Sequence, residues 1–170
     1  MLGFLFRTLT AEPDRGAALF DAITRRARRP HWYVEGTVPD TLDGRFAVLA
    51  TLTALALVRL EKDGAEGNDA SVALTERFIE VMESEHRELG LGDPTLGKTV
   101  RKLVGSLARR TELWRETVAG ERAWDEAARA SLFKSDVSAS ALTHIADALR
   151  AFSDEAERAS IADLQQGKLS

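Results

Sequence analysis

The chain has 170 residues, of which 44% are hydrophobic, carries a formal net charge of -4 and contains no cysteine. That length and apolar content suffice for one buried core and favour a single domain. The missing cysteine excludes disulfides, thiolate metal sites and thiol nucleophiles, and the acidic balance excludes whole-protein attraction to nucleic acid, leaving only local basic faces.

The start MLGFLFR reaches its first charge at Arg7, too soon for a signal-peptide core or a bilayer span, so at most it touches a membrane surface. From Asp14 to Arg29 the spacing of Ala17, Phe20, Ile23 and Ala27 predicts a helix that ends in Arg25, Arg26, Arg28 and Arg29, cations suited to a helix C-terminus and expected to act as an electrostatic docking surface, not as structural supports. The segment RPHWYVEGTVPD follows as an ordered loop. Pro30, Gly36 and Pro39 break helix there, and Trp32 and Tyr33 are open to two readings, core filling or exposed anchors for a partner.

Thr41 or Asp43 can cap a second helix in which Leu42, Phe46, Leu49, Thr53, Ala56 and Leu60 recur at inward helical spacing; its uncharged run Phe46 to Val58 is apolar around most of the helix and marks it as central. Arg45, near its start, is expected to pair with Asp43 or Glu88. The tract from Asp63 to Asp69, DGAEGND, reads as a flexible loop. A third helix is expected from about Ala70 to Leu89, with Leu74, Phe78, Met82 and Leu89 inward and Gly90 as its left-handed stop.

Asp93 and Pro94 then restart the chain as N-cap and first helical residue of a fourth helix reaching about Ala119. Leu96, Val100, Leu103, Leu107 and Trp114 form its apolar face, and Lys98, Arg101, Lys102 and Arg109 form a basic strip opposite. Two further helices are expected over about 121–133 and 138–160, with a frayed tail over 161–170. No strand pattern occurs, so the fold class is all-α, a single-domain bundle of about six helices.

Several segments imitate chemistry. Gly92 to Thr99, GDPTLGKT, matches the phosphate-binding pattern G-x-x-x-x-G-K-[ST], which would assign Lys98 to phosphate. That pattern works only when a buried strand delivers the loop, whereas the preceding segment is charged and helical, and Asp93 would repel phosphate. Glu83 and His86 form one Glu-x-x-His step, but a di-iron bundle needs two, and neither His31 nor His144 has a glutamate three residues before it. No catalytic, cofactor or metal site is assigned.

Two stretches carry a family resemblance. PDTLDGRF (Pro39 to Phe46) leading into a long hydrophobic helix, and RELGLGD (Arg87 to Asp93) ending a charged helix with Lys98 after it, resemble the ubiquinol-cytochrome c chaperone family over residues 32–117. The resemblance implies a non-catalytic assembly factor for the respiratory bc1 complex with cytochrome b as client, and no cofactor. Mitochondrial members act with a small partner protein near the ribosomal exit. For this chain the expectation is a cytoplasmic protein with peripheral contact to ribosome or inner membrane and none to DNA. The expected client or partner surface comprises Trp32, Tyr33, Arg45, Arg87, Asp93, Lys98, Arg101 and Lys102. A generic helical adaptor and, further behind, a nucleotide-binding protein are the competing readings.

Overall fold

The computed structural model describes residues 16–169, and the expectation for the apolar N-terminal start lies outside them. Thr41 begins the central helix, α2 (Leu42–Leu60), by accepting a hydrogen bond from the Gly44 N–H at 3.1 Å, as an N-cap should. Every residue from Thr51 to Leu60 is buried, so α2 is covered on all sides. The covering elements are α1 (Ala17–Ala27), α3 (Gly64–Glu88), α4 (Asp93–Val118), α5 (Trp124–Leu132) and α6 (Ala139–Arg158). A short α7 (Ile161–Gln165) closes against α1 and α3, and no strand occurs among the described residues. The fold is all-α, as the periodicity predicts.

Four expectations about elements are corrected. The DGAEGND tract is not a loop: after a 3-10 turn at Glu61–Asp63, α3 begins at Gly64. Gly67 lies so close to the Leu60 carbonyl that a Cβ would collide with it, and Ala70 is buried, so packing against α2 overrides the weak helix propensity of glycine and asparagine. Asp93 is not the N-cap of α4. Gly92 takes that position, and Asp93 and Pro94 form the first turn, where a carboxylate suits the helix dipole.

The tail is not frayed either. Ser160 caps α7 by accepting from the Asp163 N–H at 3.1 Å, Leu164 is buried, and Arg26 donates to the Leu169 carbonyl at 3.3 Å. Finally, Leu42 and Leu89 do not face inward; they are 70% and 61% exposed.

Gly90 (φ 85°) ends α3 as expected. Its N–H bonds the Arg87 carbonyl at 3.0 Å and the Leu91 N–H bonds the His86 carbonyl at 3.3 Å, a Schellman pair that an L side chain at Gly90 would strain.

One side chain that periodicity does not reveal ties the core to the C-terminal helices. Arg59, 9% exposed in α2, donates from Nε to the Ala156 carbonyl at 3.0 Å and from Nη2 to the Ala159 carbonyl at 2.9 Å, and pairs with Asp63. Its charge is spread over acceptors at the negative end of α6, the position a helix dipole favours for a cation.

Candidate functional site

The stretch PDTLDGRF folds as a unit for readable reasons. Thr41 caps α2; Gly44 is present because a Cβ there would strike the Pro39 carbonyl; Arg45 Nε donates to Asp40 Oδ1 at 2.7 Å, tying the loop to the helix. That hydrogen bond from Arg45 holds the Asp40 carboxyl below its usual range. The expected partners of Arg45 were Asp43 or Glu88, but Asp43 instead accepts from Lys134 at 2.9 Å. Phe46 then turns inward, its ring 6.1 Å from Phe78, which in turn stands edge-on to Phe20 at 6.4 Å.

Phe20 and Phe46 line a groove enclosing about 1330 Å³ between α1, the 30–41 loop, the start of α2 and the C-terminal half of α3, with Leu103 of α4 also in its lining. Phe20, Phe46, Leu49 and Met82 give it apolar walls, while Val34, Leu42 and Leu89, exposed by 69%, 70% and 61%, give it an apolar rim. Large exposed apolar side chains gathered about one concavity mark an interaction site.

Charged groups line the same groove unevenly. Arg25 and Arg28 stand with Asp21 on the α1 side, and Glu85 and Glu88 on the α3 side; none of the five forms an ion pair with another described residue. Arg77, also on α3, is engaged by Glu80 at 2.9 Å.

The residues named from sequence separate into three groups. Tyr33 and Arg45 line the groove, with the Tyr33 hydroxyl donating to the Ala27 carbonyl at 2.9 Å. Burial raises the pKa of that hydroxyl. Trp32 is 3% exposed, its Nε1 donating to the Arg26 carbonyl at 2.8 Å, so it is a core residue and not a partner anchor. Arg87, Asp93, Lys98, Arg101 and Lys102 are exposed but lie outside the groove.

The arginine cluster also divides. Arg26 pairs with Glu155 of α6 and is a structural support, which corrects the expectation that the cluster acts as a docking surface alone; Arg25 and Arg28 face the groove. The place of Glu85 and Glu88 opposite them is not legible in the sequence, where both look like an ordinary solvated helix end and Glu88 is named only as a partner for Arg45; only the fold places α1 across from them.

The two imitators resolve in physical terms. Gly97, Lys98 and Thr99 lie within the first two turns of α4, preceded by α3 instead of a strand, so their N–H groups serve the helix and form no phosphate cradle. His86 Nδ1 lies 2.8 Å from the Met82 carbonyl, and no group of three potential metal ligands occurs among the described residues. No helix among the described residues is long and apolar enough to cross a membrane.

The geometry therefore offers a helical protein with a binding groove. Its two resemblance-bearing stretches, some forty residues apart, meet there: Asp40, Leu42, Asp43, Arg45 and Phe46 from one, Glu88 and Leu89 from the other. The sequence pattern of the ubiquinol-cytochrome C chaperone family matches residues 35–170, and the chain belongs to that family. The match continues through the C-terminal helices, well past the 32–117 expected from the two stretches alone. A solved structure described as the Cbp3 homolog from Brucella abortus superposes with a TM-score of 0.78 at 24% identity, covering 100% of this chain and 96% of that one, which shows a shared fold. Among curated protein sequences no match is found.

Proposed function

We propose that this chain is a non-catalytic assembly chaperone of the bc1 complex, that its client is cytochrome b, and that the groove between α1, α2 and α3 holds the client. The observation that supports this reading is the meeting of the two family-like stretches around one groove with an exposed apolar rim. A chaperone needs apolar surface that is available to a client yet does not unfold the chaperone. Val34, Leu42 and Leu89 supply it from elements anchored by the Thr41 cap, the Asp40–Arg45 pair and the Gly90 turn. The basic strip Lys98, Arg101 and Lys102, outside the groove, is proposed to contact a ribosome or an anionic membrane surface peripherally.

Deleting the gene should lower assembled bc1 complex and cytochrome b while leaving their transcripts unchanged, and affinity capture of the tagged chain should recover cytochrome b. The L42D/L89D pair, on the exposed rim, should abolish that recovery without altering the melting temperature. Normal bc1 haem spectra in the deletion strain refute the assignment to bc1 assembly, and undiminished recovery by L42D/L89D refutes the assignment to the groove.

A further inference from the structure

We infer that the groove takes an amphipathic helix with its two polar flanks of opposite charge, and not a uniformly apolar spanning segment. The inference rests on the reading that the groove is the client site and specifies what part of a client fits.

Size comes first. A helix about 10 Å across rising 1.5 Å per residue fills roughly 120 Å³ per residue. A groove of about 1330 Å³ thus accommodates about eleven residues, or three turns. A bilayer-spanning helix needs about 20 residues, so nearly half of one would remain outside the groove.

Charge decides the rest. Arg25 and Arg28 on the α1 wall and Glu85 and Glu88 on the α3 wall line one concavity without pairing to any described residue, and hence are not neutralised across it. Seating an entirely apolar helix between them would strip water from four charges and return nothing. A helix whose apolar stripe meets Phe20, Phe46 and Met82, with carboxylates on its α1-facing flank and cations on its α3-facing flank, satisfies both walls. Asp21 lies at the same α1 wall and leaves that wall with a net charge of one positive unit from these three residues; on the α3 wall Arg77 is occupied by Glu80, leaving Glu85 and Glu88 to face a ligand.

Four designed fourteen-residue helical peptides with the same leucine stripe test this against the full chain by fluorescence anisotropy. One has glutamate on one flank and lysine on the other, one lysine on both, one glutamate on both, and one uncharged flanks. Because a helix can enter in either direction, the split peptide suits the groove in one of them. It should bind the wild-type chain at least tenfold tighter than the other three, and the margin should shrink in high salt. R25E/R28E makes both walls acidic and should shift the preference to the all-lysine peptide. E85K/E88K makes both walls basic and should shift it to the all-glutamate peptide, so either variant decides if the other fails to fold.

Equal binding of all four peptides, tightest binding of the uncharged one, or preferences untouched by both variants overturns the inference. So does a dimer in sedimentation that L42D/L89D converts to monomer, because a second copy would then cover the groove. If L42D/L89D loses cytochrome b while the peptides show no charge preference, only the present inference fails. If that variant keeps cytochrome b, the groove reading itself fails.

Discussion

Replacing Arg59 with methionine keeps an unbranched apolar stem of similar reach and removes the guanidinium that joins α2 to the end of α6. Four interactions vanish: the Nε bond to Ala156 at 3.0 Å, the Nη2 bond to Ala159 at 2.9 Å, the ion pair with Asp63 and a longer one with Glu157 at 4.0 Å. A hydrogen bond to a charged group contributes about 1.5–3 kcal/mol, and a buried acceptor left unpaired costs about 1–3 kcal/mol. Ala156 is fully buried and its carbonyl bears the whole penalty, whereas Ala159 and Asp63 are half-exposed and water replaces much of what they lose. The sum is about 3 kcal/mol, at the lower edge of the range for breaking a buried charge contact. For a chain of this size that corresponds to a melting temperature lower by about 6–12 °C. Equilibrium urea unfolding followed by circular dichroism measures it. A loss under about 1 kcal/mol would show that Arg59 is dispensable and that packing alone holds α6 and α7 in place.

Three further outcomes follow from particular contacts. His31 Nδ1 lies 3.0 Å from His144 Nε2, joining the 30–38 loop to α6, and the pKa of His31 is lowered from 6.5 by burial, then by His144 and Arg29, against an opposing pull from Glu35. Since the unfolded chain then takes up this proton more readily than the folded one, stability is complete above about pH 6.5 and declines as the pH falls below it. Urea midpoints should drop between pH 7 and 5.5 by more in wild type than in His31→Gln, and parallel profiles would contradict the assignment. Gly44→Ala should cost roughly 1–3 kcal/mol of overpacking strain against the Pro39 carbonyl, read by thermal melting, where an unchanged midpoint would show that the loop gives way freely. The R101E/K102E pair should leave the melting temperature within about 2 °C, since exposed substitutions seldom exceed about 0.5 kcal/mol. It should also weaken sedimentation with anionic vesicles or ribosomes at low salt; vesicle and ribosome binding both equal to wild type would make the strip a plain solvated face.

What the sequence disclosed is what local chemistry determines. The Thr41 cap, the Gly90 stop and the uncharged run of α2 each depend on residues a few positions apart, and the fold class follows from their periodicity. Contacts that join distant positions were invisible: Arg59 with Ala156, Arg26 with Glu155 and His31 with His144 span 97, 129 and 113 positions. The same blindness explains the misread tract after Asp63, where glycine composition argued for a loop and the approach of Gly67 to Leu60 made a helix. At the groove, the sequence supplied Tyr33 and Arg45 but directed attention to the basic strip of α4. That strip satisfies the pattern of a charged face, whereas the unpaired arginines and glutamates became a set only once α1 lay opposite α3. Leu42 and Leu89 fit the helical spacing of core residues, yet both sit at helix ends, where that spacing no longer guarantees burial.

The groove's role is tested most directly by site-specific photo-crosslinking in respiring cells. A photoreactive residue placed singly at Val34, Leu42 or Leu89 should yield adducts with newly made cytochrome b. Placed at Val72, an apolar residue of α3 that is 45% exposed but lies outside the groove, it should yield none. Cytochrome b adducts as abundant at Val72 as at the three rim positions, or absent from all three, would contradict the account.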